Sequence, residues 1–340
     1  MNMETMNRTE FPLSLERIFE RFEFVSESPV LGVFLIAILI FATFFGTFGN
    51  VLILVSVCKI IKMKSLEYIF IGNLAISDMY VTLIADPMNI VSKLEGEKFF
   101  HAFPGLCPAI ACLCTISCIS SLGSITLMSF SRFIFICHNK YYNILFKKST
   151  CIAMCILLYL VGLFLVLLNF AGIGDHSFDG KSLECIWDRM ATYYYTVVFS
   201  IVLVWIPVLF TGMFYLCIYC KFRKAGRQVA DINSYMHRKS ICFARTLFLI
   251  YAVFATCWVP YALIIVADRK NTFAHETHLI ITTFAHLHPS INWLVYFLTN
   301  KNFNLAFNSL TKLARCSKKN RVKIIQVKPI KNKNERIIGN

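Results

Sequence analysis

The sequence predicts an all-α membrane protein: a seven-transmembrane helix bundle with a short amphipathic eighth helix. Three observations predict it. The chain is 57% hydrophobic and only 16% charged, where soluble globular chains hold about 45–50% and about 25%. The apolar residues gather into seven runs, each able to supply the roughly 20 residues that cross a hydrocarbon core about 30 Å thick. The basic residues fall between alternate runs, as the positive-inside rule requires. A length of 340 residues would allow two soluble domains. None fits, however, in a 30-residue head, short loops and a 40-residue tail. Thirty-two phenylalanines against fourteen glycines exclude a flexible low-complexity chain.

Residues 1–30 are polar and mixed in charge. They lack an apolar core ahead of a small-residue cleavage site, so no cleavable signal peptide is expected and the first helix acts as its own insertion signal. The runs follow at 31–58, 68–92, 105–136, 150–171, 193–220, 241–267 and 277–299. Each must be helical, because backbone polar groups in lipid have to be satisfied within the segment, and a bundle tolerates the interrupting Pro207, Pro260 and Pro289. Residues 300–315 form the amphipathic stretch, and 316–340 a basic tail. No internal repeat is present.

Charge sets the orientation. The loops after runs 1, 3 and 5 carry Lys59, Lys62 and Lys64; Lys140, Lys147 and Lys148; and Lys221, Arg223, Lys224, Arg227, Arg238 and Lys239. The tail from Lys301 holds eleven Lys or Arg and one Glu. The opposite loops are near neutral or acidic. The head is therefore expected outside and the tail in the cytosol of a multi-pass plasma-membrane protein. The net charge of +15 is explained by topology and anionic lipid, without nucleic acid. The sequon Asn7-Arg8-Thr9 falls outside, where glycosylation is expected. Cys107 and Cys185 both fall on the oxidising face. They are either a disulfide that pins the loop after run 4 over the mouth of the bundle, or two free thiols. Cys316, just past the amphipathic stretch, is a palmitoylation candidate or a plain free cysteine.

The polar residues inside the runs carry the function. From Cys107 to Arg132 is about 37 Å of helix, so Arg132 emerges at the cytosolic end of the third helix, where a long cation reaches the interface cheaply. Asn50, Asp78, Ser121 and Asn292 all fall roughly 12–17 Å from the cytosolic side. An intramembrane carboxylate usually faces an internal cavity, and these four are expected to form one cluster centred on Asp78. Na⁺ suits its oxygen donors; the alternative is a protonated Asp78 held by hydrogen bonds.

These residues together resemble the rhodopsin-like G-protein-coupled receptors over nearly the whole chain. The resemblance rests on Gly49-Asn50, on NLAISD ending in Asp78, and on Cys107 with SRF 25 residues later, where the family usually shows D/E-R-Y. It continues with Pro207 followed by Tyr215, FATCWVP in the sixth run, NWLVY in the seventh, and NKNF opening the amphipathic helix. It implies no enzyme but a receptor. An extracellular ligand and heterotrimeric G proteins are its partners, with arrestin as a further one. Arg132 would anchor the G-protein face. Trp258 would be the toggle beneath the pocket, with Leu122, Pro207 and Phe254 below it and Pro260 beside it. Tyr215 and Tyr296 would swing toward Arg132 on activation. Asp78, Ser121 and Asn292 match the family's sodium site.

Within the family, FICHNKYYNILF and GIGDHSFDGKSLECIWDR look most like melatonin receptors and their orphan relatives, which also lack the proline replaced here by Trp293. Asn169 matches an asparagine that contacts ligand there. By family position the pocket is lined by Cys114, Cys118, Phe199, Leu203, Tyr261, Ile265, His278, Thr282 and His286. Cys114 stands where amine receptors carry an aspartate, so no carboxylate is expected for an ammonium. His286 stands where opsins carry the retinal lysine, so no Schiff base can form. A small, mostly neutral ligand is expected; the alternative is a peptide, which the short, mildly acidic loop 172–190 disfavours. A transporter or channel would show inverted repeats or a charged pore, and a membrane enzyme a nucleophile with its base; neither is visible.

Three departures stand out. Ser131 replaces the acid beside Arg132, and the helix-6 position that often supplies a second acid lies near Ser240. Arg132 is thus expected to lack an ionic partner on both sides, with raised ligand-free signalling as the consequence. Tyr159 stands where the fourth helix usually has tryptophan. Trp293 in place of proline is expected to straighten the seventh helix there.

Overall fold

The computed structural model describes residues 20–61, 66–226 and 235–316. Asn7 lies outside them, as do Lys62, Lys64 and the tail beyond Cys316. Seven helical spans form the bundle: α1 (Pro29–Cys58), α2 (Glu67–Glu95), α3 (Leu106–Cys137), α4 (Lys148–Ala171), α5 (Tyr193–Arg223), α6 (Tyr235–Ala267), and α7 in two pieces, His275–His286 and His288–Thr299. The amphipathic α8 (Lys301–Cys316) follows. The membrane-crossing part of α6 is Cys242–Ala267, and no membrane-crossing stretch departs from the sequence expectation by more than three residues, although the helix of α5 itself runs on to Gly226.

The distribution of side chains is that of a chain dissolved in lipid. Large apolar residues point outward, among them Phe34, Phe44, Leu160, Phe164, Leu209 and Leu216. The polar Asn50, Asp78, Asp86 and Asn292 have 0% exposure inside. With no aqueous solvent around the spans, outward polar groups are what would cost energy.

Proline shapes three helices. A proline lacks the N–H that would bond the carbonyl four residues back, and its ring crowds that carbonyl. Before Pro87 and before Pro207 the helix widens into π-type turns at Val81–Ala85 and Ile201–Trp205. Before Pro289 the regular α-helical ladder of α7 is interrupted at Leu287, whose backbone keeps helical dihedrals (φ −71°, ψ −26°). Around Trp293 the helix His288–Thr299 is unbroken, and the interruption of α7 lies upstream of it, at Leu287 beside Pro289. Trp293 lies flat against Gly49 of α1, where an added Cβ would come within 1.9 Å of its ring.

Between α4 and α5 the chain forms a hairpin of β1 (His176–Asp179) and β2 (Glu184–Trp187), antiparallel with Phe178 opposite Cys185. Cys185 is bonded to Cys107 at the start of α3, with Cα atoms 5.2 Å apart. This selects the disulfide over two free thiols and lays β2, buried along its length, across the bundle. The turn between α6 and α7 holds the hairpin from the other side. Asp268 accepts hydrogen bonds from the backbone N–H of Thr272 and Phe273 and from His278, and it pairs with Arg189 at 3.4 Å and Lys181 at 3.6 Å. At the opposite end, Phe303 and Phe307 of α8 pack on Tyr296 and Phe297, with ring centroids 4.9 and 6.1 Å apart.

Candidate functional site

Three sets of buried polar residues are stacked along the bundle axis. At the end opposite the hairpin, Arg132 is 8% exposed, in the last turns of α3. Its Nη2 lies 2.7 Å from Glu67 Oε1 at the start of α2. Tyr142, on the short helix Asn139–Leu145 between α3 and α4, donates its hydroxyl to the same oxygen at 2.8 Å. The guanidinium packs 4.3 Å from the ring centroid of Phe243 on α6. The expectation of a partnerless arginine is therefore overturned. The acid absent at residue 131 is supplied by α2, 65 residues before Arg132 in sequence, and the inference of raised resting activity loses its premise. The side chain at Ser240 lies outside the described ones. Tyr215 and Tyr296 rest on α3 just above. Ser129 Oγ donates to the Tyr215 hydroxyl at 3.3 Å, and the Tyr296 hydroxyl sits 3.7 Å from Met128 Sδ.

Midway, Asp78 is the centre the depth calculation placed. Ser121 Oγ donates to its Oδ1 at 2.6 Å and Asn292 Nδ2 to its Oδ2 at 2.7 Å, joining α2, α3 and α7. Asn50 is at the same level but does not touch Asp78. Its Nδ2 donates to the carbonyl of Pro289 at 3.2 Å, tying α1 to the interruption in α7. Asn50 Oδ1 and Asn292 Oδ1 are buried acceptors without a hydrogen-bond partner among the described residues. Tyr159, in the place of the usual tryptophan, reaches Ser77 at 3.1 Å and joins α4 to α2.

Beneath the hairpin lies a cavity whose empty space, open mouth included, is ≈ 410 Å³. Seven sequence-predicted residues line it: Cys114, Cys118, Phe199, Leu203, Tyr261, Thr282 and His286. Trp258 forms its floor and meets Tyr261 edge-on at 5.7 Å. Phe254, Leu122 and Pro207 are buried, with Phe254 and Leu122 in the same apolar core, while Pro260 is half-buried. Ile265 is buried in that core rather than in the lining. His278 is turned to Asp268 at 2.8 Å. Asn169 leaves the lining too. It ends α4 in a hydrogen bond with His176 of β1, because the hairpin lies against the end of α4.

The lining also holds a residue the sequence reading missed. Glu184, next to the disulfide, is a cavity wall with 0% exposure. Its Oε1 accepts from Lys93 Nζ at 3.0 Å. On the adjacent wall His286 Nδ1 bonds Asp86 Oδ1 at 2.7 Å. The expectation that no carboxylate is available is corrected: α3 offers cysteine, but the hairpin brings an acid down from above. The signal was its adjacency to Cys185, since a residue next to a tethered cysteine has few places to go. For Glu67 the signal was a lone acid at the helix end where the neighbouring charges are lysines.

The family described as 7 transmembrane receptor (rhodopsin family) matches residues 49–296. Among similar proteins, melatonin receptor type 1B-B of Danio rerio is 27% identical over 280 residues, covering 79% of each chain. Melatonin receptor type 1B of Homo sapiens is 25% identical over 304 residues, 83% of this chain and 79% of that one. Melatonin receptor type 1A of Mus musculus is 24% identical over 283 residues, 80% of this chain and 78% of that one.

Proposed function

The chain belongs to the rhodopsin family of seven-transmembrane receptors and is a G-protein-coupled receptor of the membrane, and from that premise we propose that it is switched by a small aromatic molecule held in the cavity above Trp258. The observation that carries this reading is the hairpin. Tethered at Cys107 and held by Asp268, it covers the cavity and narrows its mouth, which favours a small ligand over a folded peptide. Similar proteins are named as melatonin receptors, which favours a melatonin-like ligand here.

In this reading the head faces out and the tail faces the cytosol. Arg132 belongs to the surface that meets the G protein, and arrestin is a further partner there. The resting state is the one described: Glu67 and Tyr142 hold Arg132, while Tyr215 and Tyr296 stay on Ser129 and Met128. Activation frees the arginine for the two tyrosines, and Trp258 with Phe254 transmits the ligand's pressure. Glycosylation at Asn7 and lipidation at Cys316 belong to the same proposal.

The Asp78 cluster fits a sodium ion, because Asn292, which bonds the carboxylate, leaves its own buried carbonyl oxygen without a donor. Asp78, Ser121 and Asn292 would hold it. The ion would neutralise the carboxylate and stabilise the resting bundle. Replacing choline by sodium chloride is expected to raise the melting temperature of the purified receptor by about 2–4 °C, and Asp78→Asn to abolish the rise; equal shifts in both proteins exclude the ion.

A G-protein-dissociation screen of small aromatic compounds against cells carrying the receptor tests the main proposal. A hit is expected to lose activity in Thr282→Phe, which fills the cavity, at unchanged surface expression. Activation by peptides alone, indifferent to that substitution, points to the alternative ligand class.

A further inference from the structure

The cavity lining is mostly apolar, but Glu184 and His286 are part of it, and Lys93 and Asp86 stand behind them to complete a charged wall. Glu184 and Asp86 are two carboxylates with 0% side-chain exposure. Lys93, equally buried, sits on Glu184 Oε1 and also reaches the carbonyl of Ser182 at 3.4 Å. His286 sits on Asp86 Oδ1. The second oxygen of each acid, Glu184 Oε2 and Asp86 Oδ2, has no hydrogen-bond partner among the described residues. His286 Nε2 approaches Glu184 Oε2 only to 3.6 Å and Asn89 Nδ2 to 3.5 Å.

Lys93 offsets one negative charge. The imidazole of His286 offsets the other only by taking up a proton. With a neutral imidazole the wall carries one negative charge in excess, in surroundings of Phe199, Trp258 and Tyr261 that weaken such a charge's solvation. Buried charges without a counter-ion are strongly disfavoured, and so are carboxylate oxygens without a donor. The chemistry that completes this wall is a cation with N–H donors, joined to an apolar ring for the rest of the cavity.

Resting on the receptor reading above, we propose that the ligand is a small arylalkylamine in its protonated form, its ammonium donating to Glu184 Oε2 and its ring lying over Trp258. Glu184 then takes the part for which α3 has only Cys114. A bound ammonium and a proton on His286 become alternative ways of balancing the same charge.

The test uses purified full-length receptor in nanodiscs and two probes, tryptamine and N-acetyltryptamine. They share ring and chain and differ in carrying an ammonium or a neutral amide. Apparent affinities come from the rise in melting temperature over a titration. The amine is expected to bind about tenfold more tightly than the amide or better. In Glu184→Gln the two probes are expected to become alike, chiefly through loss of amine affinity. Lys93→Met, which adds a net negative charge to the wall, is expected to widen the preference. If Glu184→Gln does not fold, the double variant Lys93→Met/Glu184→Gln removes both charges of the pair and carries the same expected loss. An amide that binds as tightly as the amine overturns the proposal. So does a preference untouched by Glu184→Gln, or an amine that does not bind at about 1 mM. G-protein dissociation evoked by the amide alone sinks this inference and leaves the receptor reading standing. That reading is tested without any ligand by the resting output of Glu67→Gln.

Discussion

Arg132 shows how a missing residue can be replaced without restoring its position. The guanidinium needs an acceptor when it is drawn away from water, and a buried charge that loses its partner is strongly destabilised. Glu67 meets that need from a neighbouring helix and shares its oxygen with Tyr142. Charge-assisted hydrogen bonds of this kind contribute about 1.5–3 kcal/mol, and in the proposed switch this one is given up when Arg132 is freed. Glu67→Gln is therefore expected to raise ligand-free G-protein dissociation by about tenfold. Glu67→Gln with Ser131→Asp is expected to return it toward wild type, because the acid is moved rather than lost. Equal resting output in wild type and Glu67→Gln would remove the pair from the switch. Gly49 is a second case. In sequence it is half of a motif, while in the fold it is the space that Trp293 occupies. Gly49→Ala drives a methyl into the indole, and overpacking of this kind costs about 1–3 kcal/mol; a lower melting temperature, partly recovered with Trp293→Leu, is the expected result. Neither pairing was read from the chain, because each joins residues far apart: a lone acid among lysines marks Glu67 as unusual, but nothing local names Arg132 as its partner.

At the scale of elements, the hairpin is the part that reading the chain resolved least. Its cysteine was found, but its two strands and its buried acid were not, since four-residue strands among polar residues carry little periodicity. His176 of β1 hydrogen-bonds both Asn169 and Thr115 and so ties α4 and α3 to the hairpin. Burial pushes its pKa from the ordinary 6.5 down to about 4. The folded hairpin thus holds the neutral ring, while the unfolded chain takes up a proton already near pH 6.5. Stability is complete above that value and falls as the pH drops toward about 4, by up to about 3 kcal/mol. His176→Gln is expected to flatten melting temperature across this window. Asp268 does not share it. Burial opposes its ionisation, but hydrogen bonds from Phe273, His278 and Thr272 outweigh that and hold its pKa below the usual carboxylate value. Its contribution is present above that value and is lost only as the pH falls through the lowered one. The spans, by contrast, were legible almost to the residue, because twenty apolar residues in a row admit only one backbone solution in lipid.

For the molecule as a whole, the common thread is α3. In 32 residues it has a single charged side chain, Arg132, and the acids that complete its two ends stand on α2 and on the hairpin. Depth along a helix is arithmetic, so the Asp78 cluster could be placed from residue counts; which neighbouring helix completes α3 depends on azimuth, which counts do not give. The topology remains open to direct test. An epitope on the tail is expected to bind antibody only after cells are permeabilised, and one on the head without permeabilisation.

The interruption at Leu287 bears on how the last span is made. Each of its pieces holds 12 residues, about 18 Å of rod, against a hydrocarbon slab of about 30 Å. Neither can cross alone, and His278, His286, His288 and Asn292 make the pair a feeble stop for the insertion machinery. Insertion of this stretch is therefore expected to depend on the earlier helices, whose Asp86 and Asp78 bond His286 and Asn292.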